Sequence, residues 1–296
     1  MNQQVILWKN KGDFFKYKGN KIFYIKEGNG PNLLILHGYP YNTFDWKMVW
    51  GQLSKKYSIV ALDYLGMGFS DKPKNHVYSY KEHCEIINYL MKHLKINELH
   101  ILSHDLGVSI AQELLARDLL NVNKFKINSV VFMNGGLFMD VYKPRFIQRL
   151  LSQSPKPIGK VISRIISKDK INKSVKGVFG PNTQPDEQLL DELWEILNYN
   201  DGKSITYLIG RLVFDKVNHQ ERWISAMKTT KIPMCYICGP YDPNSGIIMA
   251  NRYLEIVPNP IVKLLNENIG HWPQLEDPDG VIKAYNEFRE SINFSK

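Results

Sequence analysis

A chain of 296 residues with 44% hydrophobic, 12% aromatic and 23% charged content has room for one large buried core plus an inserted unit. It is too apolar for a disordered or low-complexity protein. The formal charge of +9 would suit a nucleic-acid partner if it were spread out. Ten Lys or Arg against one acid between Lys143 and Lys176 account for all of it, so nucleic acid is not expected.

Near the N-terminus only Val5–Trp8 is continuously apolar, short of a signal h-region, and no run reaches the roughly 18 to 20 apolar residues of a membrane helix. A cytoplasmic location is the plain expectation. Phe14–Tyr17 and Lys21–Lys26 flank Lys18, Gly19 and Asn20, a hairpin pattern. Leu33–Leu36, Ile59–Leu62, His100–Ser103 and Ser129–Met133 are short apolar runs of the kind buried on both faces of a parallel sheet. Helical periods over Tyr80–Leu94 and Val108–Leu120 alternate with them, which predicts an α/β fold. After Gly135 and Gly136 the alternation stops, then resumes with Pro233–Cys238, a helix at Ile247–Ile256, Ile261–Leu265 and a last helix from Pro278 to about Ile292. The expected organisation is a core of residues 1–136 and 229–296 with a helical cap over 137–228. Cys84 reads as a helix packing residue. Cys235 and Cys238, three apart on a strand, point to opposite faces and are not expected to pair or bind metal.

The stretch SHDLGVSIA, residues 103–111, holds two candidate nucleophiles. A nucleophile on a strand-to-helix elbow needs small residues two before and two after it. Ser103 and Gly107 supply these for Asp105, and Gly107 and Ala111 for Ser109. The strand decides between them, because HIL ends at Ser103, so Asp105 falls on the turn and Ser109 one turn inside the helix, free to bond a backbone carbonyl. Asp105 is also at home there as a simple helix N-cap. Three further motifs, in the expected order, favour chemistry. HGYP (His37 to Pro40) follows a buried strand, and its Tyr39 amide, with that of Leu106, would form an oxyanion hole. GPYD places Asp242 at a strand end, where it can hold a histidine's tautomer, although a turn aspartate before Pro243 reads the same way. GHWPQLEDP supplies His271, the only histidine in the last fifty residues. No HExxH or similar metal spacing exists, and neither metal nor cofactor is expected.

Together HGYP, LDYLGMGFSDKP, LSHDLG, GPYDP and GHWPQLEDP resemble the α/β-hydrolase superfamily, in its epoxide hydrolase-like branch, from about Asn32 to Phe288. ALDYLGMGFSDKP, LSHD, NGGLF, VFGPNTQPDE, NDG and HWPQLEDP are similar to the mesoderm-specific transcript protein family. The resemblance implies Asp105 as nucleophile, His271 as base, Asp242 as its partner, the Tyr39 and Leu106 amides as oxyanion donors, and a cap over a small-molecule site. Haloalkane dehalogenases carry Trp after the nucleophile and often Asn after HG, where Leu106 and Tyr39 stand here, so halide chemistry is the weaker expectation. Epoxide hydrolases use cap tyrosines as acids, and Tyr142, Tyr199 and Tyr207 are candidates, Tyr207 foremost. An ester or lipid hydrolase on the same residues is an alternative, as is a non-catalytic scaffold.

The basic segment gives another expectation. Phe146, Ile147, Leu150 and Leu151, then Ile158, Val161, Ile162, Ile165 and Ile166, recur at helical spacing with Lys and Arg between them. The simpler reading is that this apolar stripe covers the active site; the other is that it lies on an anionic membrane surface. Oligomeric state has no signature in the sequence.

Overall fold

A computed structural model describes residues 1–293. Its centre is one eight-stranded sheet, mostly parallel. The strands are β1 (Asp13–Tyr17), β2 (Asn20–Glu27), β3 (Asn32–Leu36), β4 (Ser58–Leu62), β5 (Glu98–His104), β6 (Lys126–Met133), β7 (Met234–Cys238) and β8 (Ile261–Leu264). Their spatial order is β1-β2-β4-β3-β5-β6-β7-β8. β1 and β2 form the expected antiparallel hairpin, β2 also runs antiparallel to β4, and every later pairing is parallel.

The helices are α1 (Gln3–Asn10), α2 (Lys47–Ser54), α3 (Tyr80–His93), α4 (Leu106–Asp118), α5 (Phe146–Gln153), α6 (Lys156–Ile165), α7 (Lys168–Lys176), α8 (Glu187–Asn198), α9 (Thr206–Ile209), α10 (Leu212–Thr229), α11 (Ile247–Ile256), α12 (Pro273–Glu276) and α13 (Pro278–Asn293). Local chemistry starts them: Ser79 caps α3 at Glu82 N–H, and Asp186 caps α8 at Leu189 N–H. The continuous strands are buried on both faces because alternate residues serve two cores. Leu34 and Leu36 of β3 join α3 and α4, while Leu33 and Ile35 join α2 and α13. The cysteines follow the same rule, Cys238 in the first core and Cys235 in the second. β8, at the sheet edge, is only half-buried. Helices α1 and α2 have no counterpart in the expected pattern, since each is a short eight-residue element with too few turns to declare a period.

Between β6 and β7 lie α5 to α10, with no strand among the described residues. Here the structure departs from the simpler expectation for the apolar stripe. Helix α6 buries Gly159 and Ser163 and leaves Ile158, Val161 and Ile165 at 52%, 57% and 74% exposure. Its small face packs on α9 and the 3-10 segment Tyr199–Ile205, and Ser163 Oγ donates to Ser204 O at 3.1 Å. Small side chains permit that close approach, and the branched aliphatics are turned outward. Phe146 is likewise 79% exposed, whereas Ile166 is buried. The Ile147 and Leu151 side chains lie outside the described residues.

Candidate active site

The site sits where β3, β5, β6 and β7 end. β5 stops at His104, and Asp105 turns the chain into α4 with φ 50° and ψ −110°. A non-glycine residue in that region costs about 1–3 kcal/mol, so the surroundings must hold it. They do: Asp105 N–H donates to Met133 O at 3.3 Å, Gly107 N–H to His37 O at 3.1 Å and Val108 N–H to Asp105 O at 3.2 Å. Any Cβ at Gly107 would stand 2.5 Å from Leu36 O, and one at Gly38 would stand 2.9 Å from Asp105 Cβ. Asp105 makes no side-chain capping bond to α4, which removes the N-cap reading. Its carboxylate faces the site instead. Ser109 is buried one turn into α4, its hydroxyl against the Tyr80 phenol rather than a backbone carbonyl.

Tyr39 N–H donates to Asp105 Oδ1 at 2.8 Å. Leu106 is the first residue of α4, so its N–H has no intrahelical acceptor. The other carboxylate oxygen, Oδ2, lies 3.5 Å from His271 Nε2, and His271 Nδ1 is 2.8 Å from Asp242 Oδ2. Asp242 also accepts from Ser245 Oγ at 2.6 Å, Asn134 Nδ2 at 3.1 Å and Asn244 N–H at 2.8 Å. The structure thus brings Asp105, His271, Asp242 and the Tyr39 amide together.

Charge follows from this geometry. Burial alone would raise the Asp105 and Asp242 carboxyls, but His271 overrides it in both, helped by Lys216 at Asp105 and by Ser245 and Asn244 at Asp242, so both are held low. Burial would lower the His271 imidazole, yet Asp242 and Asp105 raise it from 6.5 to about 10. The resting site is an imidazolium between two carboxylates. Close by, burial and then the charges of Asp105 and Asp63 push the Asp45 carboxyl well up.

A cavity of about 110 Å³ opens on His271 and Trp272 and is lined from the helical insertion by Gln148, Ile166, Val175 and Val178. Of the three tyrosine candidates, Tyr199 lies elsewhere, under Lys9 and Lys72 and against Phe69. The Tyr207 ring is buried in the α3–α4 core and does not line the cavity. Tyr142 shares that core and likewise does not line the cavity, but it is near the site's charges: its hydroxyl lies against Gln148, and its phenol is pushed up by burial and by the Asp105 and Asp242 charges. Lys216 of α10 is buried with its Nζ 5.2 Å from the Tyr142 ring centre. Burial brings its ammonium down to about 8 against the pull of Asp105.

Several contributors carried no role in the sequence reading. His104, held neutral as burial lowers it to about 4, donates from Nε2 to His271 O at 2.7 Å and accepts at Nδ1 from Gln274. Asn134 bonds both Asp242 and the Gly239 backbone. Glu276 accepts from Gly270 N–H at 2.8 Å, Trp272 N–H at 2.9 Å, Gly180 N–H at 2.7 Å and Thr183 Oγ1 at 2.6 Å, clipping the His271 loop to the insertion. Adjacency to a motif was the available signal for His104 and Glu276. Lys216 offered none, because a lysine within a helix reads as solvated.

Comparison with known proteins bears on the family and the fold. The alpha/beta hydrolase fold family matches residues 31–156. Mesoderm-specific transcript protein of Mus musculus is 35% identical over 96% of this chain and 88% of its own length. Among solved structures, haloalkane dehalogenase DbeA from Bradyrhizobium elkani superposes with TM-score 0.80 at 16% identity, covering 96% of this chain and 99% of that one. Epoxide hydrolase CorEH does so with TM-score 0.77 at 18% identity, covering 95% and 99%. The two structural matches speak for the fold alone, and the full-length sequence likeness carries the conclusion: the chain belongs to the α/β-hydrolase fold family.

Proposed function

We propose that this protein is a hydrolase that attacks small apolar electrophiles, epoxides foremost, with Asp105, and then hydrolyses the resulting ester with water activated by His271. The observation that carries this reading is the division of labour at one carboxylate. Oδ1 is held by the Tyr39 amide, while Oδ2 is turned to His271 Nε2. Oδ2 is therefore the attacking atom. A strained three-membered ring is an electrophile that a carboxylate can open without further activation of the nucleophile.

Attack forms the Oδ2–carbon bond and breaks the carbon–oxygen bond of the ring. Tyr142, kept protonated by its surroundings, supplies the proton to the alkoxide, and Lys216 over its ring stabilises the phenolate left behind. Esterification removes one of the two negative charges that held His271 protonated. The imidazolium then returns a proton to Tyr142 through solvent and becomes a base at the moment one is needed. Asp242 holds Nδ1–H, so Nε2 takes the proton of a water that attacks Cγ of Asp105. Negative charge develops on Oδ1, where the Tyr39 and Leu106 amides receive it. Collapse breaks the Cγ–Oδ2 bond and releases the diol, protonated by His271, and the neutral imidazole then takes the proton of the Asp105 carboxyl, which restores the carboxylate and the imidazolium. The helices between β6 and β7 act as the cap that keeps bulk water from this sequence.

The test is mass spectrometry of His271→Ala incubated with a panel of epoxides, esters and alkyl halides. An adduct on the peptide carrying Asp105 is expected with an epoxide, and its absence for every compound, with Asp105→Ala as control, refutes the mechanism. The Ser109 alternative lacks support, because that hydroxyl is buried inside α4. Dehalogenation is disfavoured because Leu106 offers an amide but no indole to a leaving halide.

A further inference from the structure

Helix α6 is inside out. Its inward side is Gly159 and Ser163, and its outward side carries Ile158, Val161 and Ile165, more than half exposed. Around the helix from that stripe, at i, i+4 and i+8, stand Lys156, Lys160 and Arg164, Arg164 nearest the stripe and Lys156 farthest from it, all exposed and without an ion-pair partner among the described residues. Phe146, at the start of α5, is exposed in the same segment. An exposed aliphatic ridge on a helix that also carries exposed cations is not explained by packing, since a helix in a folded protein turns its apolar face to the core.

We propose that the outward face of α5 and α6 is a docking surface for an anionic lipid bilayer. The chemistry of the face selects the occupant. Branched aliphatics at i, i+3 and i+7 can enter the acyl boundary while lysines and arginine on the adjoining face meet lipid phosphates. A second copy of this chain fits poorly, because a two-fold interface would set the same cationic ridge against itself. Lys168 and Lys176 of α7 are neutralised internally by Asp191 and Glu187 of α8, whereas Arg149 of α5 and the three cations of α6 are exposed with no ion pair among the described residues. No helix among the described residues is long and apolar enough to cross a membrane, so the attachment is peripheral and reversible.

The same helices connect this surface to the cavity. Gln148 of α5 and Val175 of α7, with Ile166 just past the end of α6, line it from the inside. A protein seated on α5 and α6 would hold its cavity within one helix thickness of the lipid and draw apolar substrate from it. That consequence rests on the proposed chemistry, whereas the docking surface does not.

Vesicle flotation at low salt tests the surface. The full-length protein should bind vesicles of equal parts phosphatidylcholine and phosphatidylserine at least about tenfold better than pure phosphatidylcholine. Ile158→Ser/Val161→Ser/Ile165→Ser and Lys156→Glu/Lys160→Glu/Arg164→Glu should each lower that binding at least about tenfold, with circular dichroism and turnover of a water-soluble epoxide unchanged. Failure of the wild type to bind, or equal binding by all three proteins, overturns the proposal. So does a lipid-free dimer that the serine variant dissolves, which would make the face a self-interface. Vesicle binding without any turnover leaves the surface standing and removes only the chemistry.

Discussion

The ends of the sheet strands and the helices inserted between β6 and β7 treat charge in opposite ways. At the strand ends Asp242 is fully buried and makes four hydrogen bonds, and His271 is matched on both ring nitrogens. On α6 three cations and three aliphatics are exposed, and none of the cations has an ion pair among the described residues. An unmatched group costs several kcal/mol inside a protein and almost nothing outside it. The triad charges at the strand ends must therefore be matched by their neighbours, while the insertion is free to present a surface that is completed by something else.

The largest effect should come from breaking the completed side. Asp105→Ala should reduce turnover by at least about 10⁴-fold, and Ser109→Ala should change it by less than about threefold. The pair separates an aspartate from a serine mechanism in one assay. A comparable loss in Ser109→Ala, with the fold intact, would reverse the assignment.

Second in size is the charge balance around His271. Its imidazole is raised from 6.5 to about 10, so the folded state binds more protons than the unfolded state across that window. The resulting stability is fully present below about pH 6.5 and is lost as pH rises towards 10. Asp105 and Asp242 are shifted the other way, so their contribution is present above the ordinary carboxylate range and lost on acidification. Asp242→Asn removes one of the two charges acting on His271, and the midpoint should fall by about one to three pH units in an NMR titration. The alkaline decline in stability should flatten with it. A His271 midpoint unmoved by the substitution would show that Asp242 does not hold the charge.

Glu276 joins the two regions, and its removal should be felt in both. Glu276→Ala leaves Gly270, Trp272, Gly180 and Thr183 without their acceptor and should cost about 3 kcal/mol in chemical denaturation. Glu276→Gln keeps one carbonyl oxygen for part of that set and should lose about half as much. Activity should drop further than stability explains, because the same bonds fix the backbone of His271. Equal stability of wild type and Glu276→Ala would mean that the clip is dispensable.

The strands of the sheet and the positions of Asp105 and Asp242 just past two of them were legible because they rest on local signals. Apolar runs such as Leu33–Leu36 and Ser129–Met133 declare buried strands, and HIL stopping at Ser103 places Asp105 on the turn without knowledge of any distant residue. Legibility ended where a role depends on what lies opposite. Lys216 becomes a buried cation only because Gly136 and Tyr142 leave it room, and Tyr142 feels the Asp105 and Asp242 charges because of how the chain folds back after β6. The spacing of α6 announced an apolar stripe correctly, but periodicity reports that a helix has two faces and not which one is inward. Gly159 and Ser163, spaced at i and i+4, were the signal for the inward side, and their smallness masked it.

The smallest expected effect tests that inversion without any lipid. If the ridge of α6 is exposed in solution, Ile158→Ser/Val161→Ser/Ile165→Ser removes little buried area, and serine is close to isoleucine in helix propensity. Its stability should stay within about 1 kcal/mol of wild type and its melting temperature within about 3 °C. Ile166→Ser, one residue beyond the helix and buried, should by contrast cost about 2–3 kcal/mol from the same chemical change. Adjacent positions in one aliphatic run would then differ severalfold solely by the side they face. A triple variant that loses as much as Ile166→Ser would mean that the ridge is packed in the free protein. The surface would then belong to the completed region rather than the open one.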